Sequence, residues 1–258
     1  MKIKKIGNPF RSFKEKVKDV WARNNRIHPE PVAPVDPVIA RRNIITELFV
    51  HGDGIEIGAL HNPLQVPLNA HVKYVDRMPV NELKQQYPEL GSLKLVHVDI
   101  VDDGEVLRTI KDSSQDFVIA NHFIEHCQNP IQALQNMLRV LRSGGILYFA
   151  VPDKRFTFDI DRPVTPFSHI EFDYLHGPEG TRKQHFEEWS RFVNKTIGDD
   201  AVQDEVAHLM KIDYSIHFHV WTQTEILEFI IQSKKYLSFG IEMIHQNHHE
   251  VICVLTKE

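Results

Sequence analysis

Along the chain, apolar positions first recur at helical spacing in residues 41–50, where Ile44, Ile45, Leu48 and Phe49 predict a helix with those four side chains inward. The period then changes. Short apolar runs at 54–57, 72–75 and 95–98 predict strands, followed by Gly58, Asp76 and Asp99 respectively, with a short helix over 80–87. Residues 116–120 (DFVIA) and 146–151 are almost wholly apolar, which suits strands covered on both faces of a parallel sheet. Between them, residues 129–142 place Ile131, Leu134, Met137, Leu138 and Leu141 on one helical stripe. Pro130 in its first turn and Gly144–Gly145 just past its end are the expected punctuation. A helix over 223–233 and strands over 239–245 and 249–255 close the chain. This alternation predicts an α/β class: a doubly wound, seven-stranded, mostly parallel sheet with an antiparallel C-terminal strand pair.

Two stretches stand outside that plan. Residues 1–25 are basic, with Phe10, Phe13, Val17, Val20 and Trp21 at helical spacing, and a Pro-rich segment follows them. Residues 1–37 are therefore expected to be an amphipathic appendage, packed on the domain or a second subunit, or lying on a membrane surface or a partner protein. Residues 38–258 form the main domain. Within it, residues 152–220 have no place in the alternation: 152–178 lack a period, helices are expected near 180–196 and 200–213, and SIHFHVWT (215–222) sets His217 and His219 at period two. This is an inserted cap leaving the fifth strand at the ligand face, where substrate specificity usually lives.

The chemistry begins at 52–76, GDGIEIGALHNPLQVPLNAHVKYVD. A carboxylate ending the strand after a strand–Gly turn is a ribose-binding device, because an ionised Asp76 accepts from two vicinal hydroxyls. There is no G-x-G-x-x-G, and Glu56 sits just before Gly58, where a pyrophosphate would not tolerate it. A cationic ligand with a ribose and no phosphate would. S-adenosylmethionine has those properties.

In EIGA (56–59) and YVD (74–76) the chain resembles the class I S-adenosylmethionine-dependent methyltransferases. The likeness continues through HVDI (97–100), DFVIANHFIEH (116–126) and NMLRVLRSGGILYFAVPD (136–153), the last similar to their type 11 branch. It implies a Rossmann-like fold, S-adenosyl-L-methionine as cofactor, and cofactor contacts from Glu56, Gly58, Ala59, Asp76, Arg77, Asp99, Ile100, Asn121 and His122, with Asp99 beside the adenine. The first motif holds fewer glycines than the family usually has. The wording of the insertion (PDKRFTFD, then DRP and HFHV) resembles methyltransferases of bacterial surface-polysaccharide pathways, which implies O-methylation of a sugar, nucleotide-sugar or glycan hydroxyl. Another small-molecule acceptor, a non-catalytic binding scaffold and a nicotinamide-dependent oxidoreductase are the rival readings.

A hydroxyl acceptor must lose a proton, and histidine is the natural base near neutral pH. The polar exit of the fourth strand offers His126, and the insertion offers His169, His217 and His219, with Asp153, Asp159, Asp161 or Asp173 to orient one of them or to bind the substrate. No metal-ligand cluster is visible in the sequence, so no metal is expected, although a divalent ion holding a sugar diol on these carboxylates is the alternative. The net charge of −5 speaks against nucleic acid as a partner, and no apolar run is long enough to span a membrane. Two distant cysteines and no apolar leader fit free thiols and a cytoplasmic protein, as a monomer or homodimer.

Overall fold

The computed structural model describes residues 36–258, and Val38–Glu258 make one compact unit. The basic helix and Pro-rich segment expected in the first 35 residues lie outside the described residues. Seven strands, β1 (Gly52–Ile57), β2 (Ala70–Asp76), β3 (Ile100–Val101), β4 (Gln115–Asn121), β5 (Leu141–Pro152), β6 (Phe239–Asn247) and β7 (Glu250–Lys257), form one sheet in the order β3-β2-β1-β4-β5-β7-β6. Pairing is parallel from β3 through β5, and β7 runs antiparallel to both β5 and β6. The chain order reverses between β1 and β4, the place where doubly wound sheets bind ligands.

Alternation within the central strands builds both faces. In β4, Val118 and Ala120 point into one core with Leu147, Phe149 and the stripe of α3 (Pro130–Val140). Phe117 and Ile119 point into the other, with Tyr148, Ala150 and Val254. Period two splits one apolar run between two layers, which is why the run carries no polar residue.

Three expectations change here. In α1 (Pro37–Phe49), Ile44 and Leu48 face outward, each 61% exposed, while Ile45 and Thr46 are buried. The inward face carries polar anchors: Thr46 Oγ1 donates to Gln65 O (3.0 Å) and Arg42 reaches the buried Glu250. The third strand is Ile100–Val101 and not 95–98, because only those residues find ladder partners, at Val75 and Asp76. The stretch at 152–178 contains a helix, α4 (Phe167–His176), which buries Phe167, Ile170 and Asp173. A carboxylate at an inward position concealed its period.

After α2 (Val80–Gln86) and α3, the insertion adds α4, α5 (Arg182–Phe192) and α6 (Asp199–Lys211), and α7 (Gln223–Ser233) returns the chain to the sheet. Phe186, Trp189, Val202, Val206, Leu209, Ile216 and Phe218 give the insertion a small core of its own. Residues 215–220 form no ladder; an isolated bridge between Asp153 and Trp221 marks their end. Cys127 and Cys253 are buried free thiols, and among the described residues no helix is long and apolar enough to cross a membrane.

Candidate functional site

A cavity of about 600 Å³ opens at the carboxyl ends of β1, β2 and β4, within the size range of small-molecule sites. Gly58 sits in the turn after β1 at φ +65°, a left-handed conformation that favours glycine. Asp76 ends β2 on the wall, where its Oδ1 accepts the Arg77 N–H at 2.8 Å. Burial pushes its carboxyl up, against the opposing pull of Arg77. The loop after β3 supplies Asp103, Gly104 and Glu105. A Cβ at Gly104 would stand 2.6 Å from both Ile57 Cγ2 and Phe123 Cζ, so the loop can approach the wall only as glycine. Asp213, Tyr214, Ser215 and Phe218 close the cavity from the insertion, with Asp213 bridging Arg77 (3.5 Å) and Arg182 (2.6 Å).

His122, just past β4, is held at φ +49° and lines the cavity. Its Nε2 lies 3.0 Å from Glu250 Oε2, and its Nδ1 is 3.6 Å from Glu125 Oε1. Burial pulls the imidazole down, but the Glu250 hydrogen bond and the two carboxylates outweigh it and hold it above its ordinary value. Glu250 is fully buried and also accepts from Arg42 Nε (2.8 Å) and Asn247 Nδ2 (2.7 Å). Burial raises its carboxyl, yet hydrogen bonds from His122 and Arg42 prevail and hold it at about 2, from 4.5.

A depressed folded pKa gives stability that is complete above the unfolded value and lost as pH falls through the folded one. The Glu250 contribution therefore disappears between about pH 4.5 and 2, and at 1.36 kcal/mol per unit it is about 3 kcal/mol. In urea melts across that window, Glu250→Gln is expected to flatten the acid slope by about that amount and to be less stable at pH 7. An unchanged slope would mean that the pairing contributes nothing.

His126 lines the cavity's inner corner, and behind it Glu125 and His217 complete a group with one donor atom from each within 4.8 Å of the others. His126 Nδ1 is 2.9 Å from Ile216 O, which can only accept, so Nδ1 carries the proton and Nε2 keeps its lone pair. Burial and the neighbouring His217 push its imidazole down to about 3, so it stays neutral. The His217 ring stands edge-on to it with centroids 4.7 Å apart. Asp159 Oδ2 holds His217 Nδ1 at 2.7 Å, and the buried Arg162 holds Asp159 Oδ1 at 3.0 Å and the His217 carbonyl at 2.7 Å. Although burial raises the Asp159 carboxyl, the His217 hydrogen bond and charge, with Arg162, bring it below its usual range. Neither carboxylate oxygen of Glu125 has a hydrogen-bond partner, and burial pushes that group up.

Of the expected cofactor residues, the cavity brings together Gly58, Asp76, Arg77 and His122. Glu56, Ala59, Asp99, Ile100 and Asn121 do not line it. Glu56 accepts the Leu64 N–H (2.9 and 3.2 Å), and burial pushes it up to about 7. Asp99 lies at the entry of β3, capping the Tyr74 N–H (2.9 Å), because the strand begins later than its pattern indicates; Asp103 takes the wall position instead. Ile100 packs on the core, and the Asn121 amide is sealed without a partner. Of the expected bases, His126 lines the cavity and His217 stands behind it. His169 and His219 are drawn into a separate cluster with His185, and the buried Asp153 is clamped by Arg155 (2.6 and 3.0 Å). His217 and His219 thus join different clusters, since no strand ladder holds their segment to a two-residue alternation. The Asp102–Asp103 doublet was the available signal for the missed acid; Tyr87 and Ser215 had none, because only the fold brings them here, whereas Asp159, one of the carboxylates expected to orient a histidine, does hold His217.

Residues 52–149 match a family model described as a methyltransferase domain. No curated protein matches the chain. Among solved structures, a Rhodobacter sphaeroides protein named as a candidate Zn-dependent alcohol dehydrogenase aligns at TM-score 0.51 and 14% identity, covering 87% of this chain and 91% of that one. That likeness speaks to the fold alone. An S-adenosylmethionine-dependent methyltransferase from Aquifex aeolicus aligns at TM-score 0.46 and 13% identity, over 95% of this chain and 98% of that one. The chain carries a methyltransferase domain on a Rossmann-like sheet; it is an enzyme, and S-adenosylmethionine is its methyl donor.

Proposed function

We propose that this protein methylates a hydroxyl of a sugar, nucleotide-sugar or glycan, of the kind used in surface-polysaccharide assembly. One observation carries the proposal: a single cavity holds Asp76 at the end of β2 and the neutral His126 in its inner corner. The residues fit the donor. Asp76 keeps lone pairs for the two ribose hydroxyls beyond the Arg77 N–H it accepts. The wall lacks a glycine-rich phosphate cradle and carries Asp103, Glu105 and Glu89, which suit a cation. When bound, S-adenosylmethionine supplies a methyl carbon already activated by its sulfonium.

The protein's own part is alignment and proton removal. His126 presents Nε2 while Ile216 O fixes the opposite nitrogen. A neutral imidazole of low basicity suffices, because a hydroxyl oxygen gaining a methyl group becomes strongly acidic as the bond forms. His217, oriented by Asp159, stands edge-on to His126 and helps to keep its imidazole neutral, so that Nε2 holds its lone pair before transfer. Tyr214, Ser215 and Phe218 come from the insertion, which we assign as the cap over the acceptor; aromatic faces beside hydroxyl and carboxylate groups suit a hydroxyl-rich ring. The surface-glycan class rests on the wording of residues 152–220.

The test is a transfer assay with methyl-labelled S-adenosylmethionine against panels of nucleotide sugars, free glycans and small amines, read by mass and NMR. Label on a sugar oxygen is the expected result. Label confined to amines, or to no hydroxyl in the panel, would overturn the acceptor class.

A further inference from the structure

Three histidines meet apart from the cavity wall. His169 in α4, His185 in α5 and His219 in the returning segment each bring a ring nitrogen within 4.8 Å of the other two. His169 Nε2 and His185 Nε2 stand 3.0 Å apart. Asp173, one helical turn after His169, places Oδ2 3.2 Å from His169 Nε2, while Thr181 Oγ1 holds its other oxygen at 2.8 Å. His219 and Asp173 are wholly buried and His185 is 5% exposed.

What these groups lack is partners. Neither ring nitrogen of His219, nor His185 Nδ1, nor Asp173 Oδ2, meets a hydrogen-bond partner of good geometry. Buried polar atoms are normally satisfied, and each that is not costs about 1–3 kcal/mol. A proton shared between His169 and His185 answers one contact and leaves His219, with only the Gln128 backbone nearby, without a well-aligned partner. One divalent cation answers them together, since three neutral imidazoles bring ring nitrogens to one point and the Asp173 carboxylate stands 3.2 Å from the first of them. A tetrahedral centre with nitrogens at about 2.0–2.1 Å sets its ligand atoms about 3.3 Å apart, close to the 3.0 and 3.2 Å separations here.

We propose that His169, His185, His219 and Asp173 bind one zinc-type divalent ion. The imidazole-rich donor set selects a transition metal over magnesium or calcium. Four ligands in a buried setting leave no open coordination position, as in structural sites. The ion would tie α4 and α5 to the segment that re-enters the sheet beside Asp153, and so fix the cap that supplies Tyr214, Ser215 and Phe218 to the cavity. The Glu125, His126 and His217 group is not a rival. Its two Nδ1 atoms are committed to Ile216 O and Asp159, and its His126 lines the cavity.

The experiment uses the full chain, free of any affinity tag, stripped with a chelator and titrated with Co²⁺ and then Zn²⁺. Expected are a single saturating equivalent of Co²⁺ with the visible absorption of a four-coordinate centre, its displacement by Zn²⁺, and a melting temperature that rises with Zn²⁺ concentration. His169→Asn and Asp173→Asn are each expected to weaken Co²⁺ binding by at least the roughly 10–100-fold that loss of a mere supporting group causes. His126→Asn and His249→Asn, each in another donor group, should leave the titration unchanged. The absence of saturable binding and of a melting shift in the natively folded protein overturns the site. Binding that survives both His169→Asn and Asp173→Asn undiminished overturns it too.

Discussion

Asp76→Ala is expected to weaken S-adenosylmethionine binding by about 2–5 kcal/mol, roughly 30- to 4,000-fold in Kd, with the fold intact. The magnitude follows from position. Asp76 ends a strand whose ladder partners are backbone, and its side chain accepts from one protein donor, the Arg77 N–H. Removing the carboxylate therefore breaks only that one local contact and leaves two ribose hydroxyls without an ionised acceptor. Burial has already raised its pKa, so the charge is poorly solvated and bound hydroxyls gain more from it than they would in water. Asp76→Asn should recover part of the loss, since an amide oxygen accepts but carries no charge. Calorimetry at fixed salt measures both variants. An Asp76→Ala affinity within threefold of the parent would remove this residue from the donor site.

The second large effect is kinetic. His126→Asn should lower turnover by about 10²–10⁴, the usual contribution of a positioned base, while leaving S-adenosylmethionine affinity unchanged. Asparagine can keep a donor toward Ile216 O, as Nδ1–H does now, but it removes the Nε2 lone pair. Because His126 stays neutral down to about pH 3, its own titration should put no acid limb on the pH–rate profile in the physiological range. His217→Asn separates direct from indirect roles. If His217 acts through His126, its loss should cost less than that of His126, and the double variant should cost little more than His126→Asn alone. Near-normal turnover in His126→Asn would place the proton acceptor elsewhere.

The two predictions differ in how much the sequence already said. Asp76 was legible because everything that places it is local: an apolar run, a parallel neighbour, and a carboxylate at the strand's last position. The sheet was legible for the same reason, and the 3.6-residue stripe of α3 likewise. His126 was one of four candidate histidines, and nothing along the chain could choose among them. The choice is made by the insertion, which brings Ile216 and His217 against residues some 90 positions earlier.

Periodicity determined this protein's architecture by itself, because side chains alternate across strands and recur around helices whatever lies beyond them. It failed where polar groups took inward positions: Arg42 and Thr46 in α1, and His169 and Asp173 in α4. There the burial is favourable only because a partner distant in sequence, such as Glu250 for Arg42 or His185 for His169, arrives in the folded chain. It also failed at β3, where two residues of ladder, not the alternation of 95–98, decide which aspartate reaches the cavity. The sequence thus determined which carboxylate ends the second strand; only tertiary structure decided which histidine lines the same cavity and which three are gathered apart, because hydrogen-bond partners are fixed by distance in space and not by distance along the chain.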